Sequence, residues 1–135
     1  MNGLAADIAA AHAPRSFTFT IPGCPVPWER VTPKGAGGRT LTPARTRNYE
    51  ASVKLRAMGA GVRLCEIPVR IRIDCYFPDR RRRDLDNIAK AILDGLQGPG
   101  LLTGDHWEAV PSLAITGALD AANPRAVVTI EEVTP

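Results

Sequence analysis

The clearest regularity along the chain is an alternation of apolar and polar residues with period two. Between Ile67 and Phe77, residues Val69, Ile71, Ile73, Cys75 and Phe77 fall on one side and Arg70, Arg72, Asp74 and Tyr76 on the other, which predicts a strand with one buried face. Ser16 to Ile21 repeats the pattern, setting Phe17, Phe19 and Ile21 against Ser16, Thr18 and Thr20 until Pro22-Gly23 stops it. Elsewhere the period lengthens to that of a helix. Tyr49, Val53 and Ala57 recur at four-residue spacing, with Arg45, Asn48, Ser52 and Arg56 on another face. Thr42-Pro43 supplies a start in which the threonine can cap, and Gly59 and Gly61 supply an end. Leu85, Ile88, Ala89, Ile92, Leu93 and Leu96 form a second helical stripe that closes at Gly98-Pro99-Gly100. The last third carries two apolar runs, Ala109 to Thr116 and Ala126 to Val133, separated by a turn region from Asp120 to Pro124, and predicts a hairpin. Pro111 argues against a central place for the first of these runs.

The order strand, helix, strand, helix, strand, strand predicts a mixed sheet with helices packed on it, in the α/β or α+β class. A chain of 135 residues holds one core of useful size, and a second independent domain is not expected. We therefore expect a single domain over residues 16–135, preceded by an arm over residues 1–15. The arm is alanine-rich, has no basic leader and carries only a short apolar run, so it does not read as a signal peptide and is expected to be flexible. No window approaches the length and apolarity of a membrane span. Cys24, Cys65 and Cys75 are odd in number and lack a C-x-x-C pair, which argues against a disulfide framework or a zinc knuckle and for reduced thiols in a cytoplasm.

Charge changes the picture through its distribution. The net charge is only +3, yet the basic residues concentrate between Arg30 and Arg83. From Pro22 to Gly38 the chain is a long loop rich in proline and glycine that carries Trp28, Arg30 and Lys34, with Arg39 just beyond it. A second basic turn, Arg80, Arg81, Arg82 and Arg83, follows the strand ended by Pro78. Such clusters attract polyanions such as nucleic acid or acidic lipid, although a solvated surface accounts for charge alone equally well.

Against this basic background stand two acids, Asp84 and Asp86. Carboxylates separated by one residue lie nearly opposite on a helix but on the same side of an extended chain, so Asp84 is expected on the segment leading into the helix and Asp86 near its cap. Held that way, both can reach one hard divalent cation. Lys90 lies one turn beyond Asp86 and Asp94 one turn further, a spacing that also forms an exposed ladder of ion pairs, which is the preferred account of Asp94. Capping alone accounts for an aspartate at position 86. It does not account for a second acid in so basic a stretch.

The block Asp84-Leu85-Asp86-Asn87, followed by Lys90, Asp94-Gly95-Leu96 and Asp105, resembles the signature of the RusA-type Holliday junction resolvases. Pro25-Val26-Pro27-Trp28-Glu29-Arg30, Lys34-Gly35 to Arg39, Thr42-Pro43 and Tyr49-Glu50 resemble the N-terminal segment of phage and prophage members, so the likeness runs from about Phe17 to Val133. The resemblance implies that Asp84, Asp86 and Asp105 are catalytic carboxylates that hold magnesium, with manganese as a substitute, and that Lys90 is the essential lysine. It further implies a homodimer that cuts four-way DNA symmetrically in recombination and repair. One departure is Gly104, where relatives commonly place an acid beside the third one. For gripping DNA backbone the candidates are Arg30, Lys34, Arg39, Arg45, Arg47, Lys54 and Arg80 to Arg83, with Trp28 as a platform on which an unpaired base could stack. His106 is left out of the site, since a surface histidine beside an acid is common.

Two other classes compete. A branched-DNA-binding protein without catalysis would use the same basic surface and need no metal. A D-x-D pair also holds the metal–nucleotide complex of glycosyltransferases, but this chain is short for a sugar-nucleotide fold and has no glycine-rich phosphate loop after a strand.

Overall fold

The computed structural model of the chain describes residues 13–29, 42–63, 68–97, 102, 104 and 106–133. The elements are β1 (Ser16–Pro22), α1 (Ala44–Gly59), β2 (Val69–Phe77), α2 (Leu85–Leu96), β3 (Ser112–Leu119) and β4 (Arg125–Glu132). Their order matches the sequence expectation, and the fold is α+β with a mixed sheet. The four strands lie in the order β1-β4-β2-β3, with β2 antiparallel to β4, parallel to β3, and β4 antiparallel to β1.

The expected hairpin of the last two strands does not form. β3 and β4 flank β2 on opposite sides, Ile73 pairing with Ile115 in one direction and with Val128 in the other. The burial pattern gives the reason. β4 buries Ala126, Val128, Ile130 and Glu132 and has neighbours on both edges, whereas β3 is half-buried at Ser112 and Ile115 and otherwise exposed, as suits an edge. The argument from Pro111 against a central position therefore holds. β3 begins at Ser112, later than the apolar run from Ala109 suggests, and β4 begins at Arg125.

The inner face of the sheet supplies Phe19, Ile21, Val69, Ile71, Ile73 and Cys75, all buried, and the helices close over it with the Tyr49, Val53 and Ala57 stripe of α1 and the Ile88, Ile92 and Leu96 stripe of α2. Alternation and helical periodicity both survive into packing because each element has one apolar face to hide. Burial pushes the Cys75 thiol up to about 12 and leaves it a core residue. Cys24 and Cys75 are not joined in a disulfide, and Cys65 lies outside the described residues.

On the outer face, Asp74 accepts hydrogen bonds from Thr116 Oγ1 at 2.7 Å and Arg72 Nε at 3.1 Å, which hold its carboxyl below the usual aspartate range. The fold reaches back to Arg15, the last residue of the expected arm. Its guanidinium meets the buried carboxylate of Glu132 through bonds of 3.0 and 2.8 Å, and its backbone N–H donates to the same group at 2.8 Å. Residues 1–12 of the arm lie outside the described residues. No helix among the described residues is long and apolar enough to cross a membrane.

Candidate active site

The segment that follows β1 runs between the two helices and is pinned to both. Thr46 Oγ1 on α1, fully buried, donates to the carbonyl of Pro27 at 3.2 Å, and the Trp28 N–H donates to the carbonyl of Asn87 on α2 at 2.8 Å. Between this segment and the turn after β2 lies a groove of about 690 Å³, whose lining includes Trp28, Arg45, Arg81, Arg82, Asp84 and Asn87. Four arginines, Arg45, Arg81, Arg82 and Arg83, and three acids, Glu29, Asp79 and Asp84, thus face one cleft.

Asp84 is the N-cap residue of α2, with φ −92° and ψ 112°. The helix begins a little earlier than the sequence implied: Asp84 itself holds the cap position, and Asp86 lies in the first turn. Asp84 keeps the extended backbone expected of a residue leading into the helix, but its carboxylate makes no capping bond. Asp86 uses Oδ1 to accept the Asn87 N–H at 2.9 Å. Both side chains are exposed at the positive end of the helix dipole, a setting that favours anions. At α1 the start also differs, since Pro43 is the N-cap residue and no side chain, Thr42 included, caps the helix.

Lys90 forms a salt bridge to Asp94 at 3.7 Å, the second rung of the expected ladder, and its ammonium lies 4.7 Å from the centre of the Trp28 ring. Glu50 of α1 faces the same spot. Burial, followed by the nearby Asp94 charge, raises its carboxyl above the usual range, while Lys90 and Lys54 pull in the opposite direction. Sequence reading missed both Glu50 and the Lys90–Trp28 contact. Only the i,i+4 spacing of Lys90 and Asp94 was visible in advance.

The four arginines of the basic turn divide into two groups. Arg80, Arg81 and Arg82 are exposed. Arg83 turns inward: its Nη1 donates to Asp79 Oδ1 at 2.9 Å and to the carbonyls of Asp79 and Arg81, and its guanidinium sits 5.0 Å from the centre of the Phe77 ring. Arg45 approaches Glu29 at 3.8 Å across an exposed gap, Arg47 donates to the carbonyl of Thr42, and Lys54 is exposed on α1. His106 is exposed. Asp105, Arg30, Lys34 and Arg39 lie outside the described residues, and among the described residues no three of His, Cys, Asp and Glu gather as a metal site.

A mixed sheet under two helices, with an aspartate that makes no capping bond opening on a groove where arginines outnumber acids by four to three, defines an α+β protein whose candidate site suits an anionic polymer. A sequence model of the family described as Endodeoxyribonuclease RusA matches residues 22–131, and the chain belongs to that family. It is 42% identical over 69 residues to the crossover junction endodeoxyribonuclease rusA of Enterobacteria phage 82 and, to the same extent, to the crossover junction endodeoxyribonuclease RusA of Escherichia coli (strain K12). Each match covers 50% of this chain and 58% of the relative, so the alignments span a little over half the length of these relatives.

Proposed function

We propose that this chain is a structure-selective endodeoxyribonuclease that resolves four-way DNA junctions by hydrolysing phosphodiester bonds. The observation that carries the reading is the position of Asp84, whose carboxylate takes no capping bond and lines the same groove as Arg45, Arg81 and Arg82. Membership of the family and the names of the related crossover junction nucleases supply the substrate class.

Asp84 and Asp86, joined by Asp105, would hold magnesium or manganese. Their hard oxygen donors suit such a cation, and the little-used hydrogen-bonding capacity of the first two leaves them available for it. Such a cation would supply Lewis-acid chemistry there, polarising a phosphate and acidifying water. The arginines hold the flanking phosphates by charge, with affinity that falls as salt rises. Lys90 sets a positive charge against the phosphoryl oxygens or orients the attacking water, an effect that grows where the groove excludes solvent. Cutting two strands symmetrically calls for two such sites, and a twofold homodimer is the simplest way to present them. The free thiols of Cys24 and Cys75 are compatible with a reducing, cytoplasmic setting for recombination and repair.

Strand-mapped cleavage of a synthetic four-way junction, with and without magnesium, tests the reading. Paired nicks at symmetric positions that require the cation are expected. Junction binding with no cleavage under either magnesium or manganese would favour a non-catalytic branched-DNA-binding protein.

A further inference from the structure

We infer that Trp28 is a positioning residue for Lys90, its indole face fixing the ammonium group beside the groove. The inference rests on the nuclease reading above and concerns one side chain whose role that reading leaves open.

Lysine carries its charge on a flexible four-carbon stem, so a half-exposed lysine spreads over many rotamers unless something restrains it. Two restraints meet at Lys90. Asp94 lies 3.7 Å away along the same helix, and the Trp28 ring centre lies 4.7 Å from Nζ. Asp94 alone would draw the ammonium towards the C-terminal end of α2, away from Asp84 and Asp86. The ring supplies attraction from the segment that forms the groove wall, within the distance at which a cation is held by an aromatic face.

The ring is itself well anchored. The Trp28 N–H donates to the carbonyl of Asn87, a residue less than one turn before Lys90 on α2, so the indole and the amine are referred to the same stretch of helix. Pro27, immediately before it, is tied to buried Thr46, and the indole packs partly against the core. A residue fixed at its backbone, packed on the core and covered by an ammonium group is poorly placed to act as a free stacking platform. It is well placed to hold a neighbour.

The test compares Trp28→Leu, Trp28→Phe and the unsubstituted protein for kcat and for junction affinity, then repeats the measurement with fluorinated tryptophans incorporated in a Trp107→Phe background. Trp28→Leu is expected to lower kcat by roughly 10-fold, the scale of a partly desolvated cation–π contact, with junction affinity unchanged. Trp28→Phe, which keeps an aromatic face, should recover most of the loss. Stepwise fluorination preserves shape while draining the ring of negative charge, so kcat should fall with each added fluorine, an effect that a purely structural role would not produce. The fluorinated series also serves if Trp28→Leu fails to fold. Loss of affinity with kcat intact, or kcat indifferent to fluorination, overturns the inference while leaving the nuclease reading in place. If the unsubstituted protein cuts no junction with magnesium or manganese, the nuclease reading fails and the inference falls with it.

Discussion

Gly95 on α2 lies so close to Val53 on α1 that a Cβ at position 95 would stand 2.8 Å from the Cβ of Val53 and 2.8 Å from the carbonyl oxygen of Glu50. Both neighbours belong to a packed helix and cannot step aside as the tip of a flexible side chain would. The approach brings Glu50 near Asp94 and Lys90, so the helix spacing and the candidate site share one contact. Gly95→Ala is expected to lower stability by about 1–3 kcal/mol through overpacking, read as a shifted urea midpoint. An unchanged midpoint would mean that the helices do not meet this tightly.

Glu50 gives the site a signed pH dependence. Its carboxyl is raised by burial and by Asp94, so the folded state prefers the proton and the ionised group opposes folding at neutral pH. The associated stability is present below the ordinary glutamate range and is lost as pH rises through the elevated folded value. Glu50→Gln should therefore stabilise the protein near neutrality, by under about 1 kcal/mol because solvent screens a partly exposed group. The gain should shrink towards zero as the pH falls below about 4. Urea titrations at the two ends of that window provide the check, and a gain that grows on acidification would contradict the sign.

The basic turn separates the proposed DNA contacts from a structural arginine. Replacing Arg81 or Arg82 with Ala should reduce the slope of log affinity against log salt by about 0.9 for each phosphate that the side chain neutralises. Arg83→Ala should leave that slope unchanged and lower the melting temperature, because its guanidinium is committed to Asp79, the Arg81 carbonyl and Phe77. Salt-dependent binding to one junction, measured for all three variants, distinguishes the two roles. A slope change for Arg83→Ala as large as the others would put its side chain on the DNA.

Lys90→Ala removes the positive charge proposed to meet the phosphoryl oxygens. The expected loss is roughly 100-fold in kcat, typical for a preorganised electrostatic group, with little change in junction binding. Single-turnover cleavage separates the two effects. A variant that binds weakly but cuts at the normal rate would assign Lys90 to DNA affinity instead.

What was legible in the sequence follows from how local each signal is. The Ile71, Ile73, Cys75 alternation and the Ile88, Ile92, Leu96 stripe depend on neighbouring residues, so β2 and α2 could be read directly. Strand order is not local. Adjacent apolar runs joined by a turn look like a hairpin, and only the pairing of β2 with β3 on one side and β4 on the other reveals that it lies between them. Asp84 and Asp86 are equally good capping residues, so residue type could not reveal that the cap falls on Asp84 rather than near Asp86 as expected. Within four consecutive arginines, nothing short of the Asp79 contact distinguishes Arg83 from its neighbours. Trp28 and Lys90 are far apart in the chain, and they meet only once the segment after β1 is pinned to Asn87.

The most direct test of the central claim is a paired measurement on one synthetic four-way junction, in which Asp84→Asn is compared with the unsubstituted protein for binding and for cleavage in magnesium. If this carboxylate helps hold a catalytic cation, cleavage disappears while binding is retained or tightened, because a negative charge facing DNA has been removed. Binding and cleavage falling together, or cleavage persisting in the variant, would contradict the assignment.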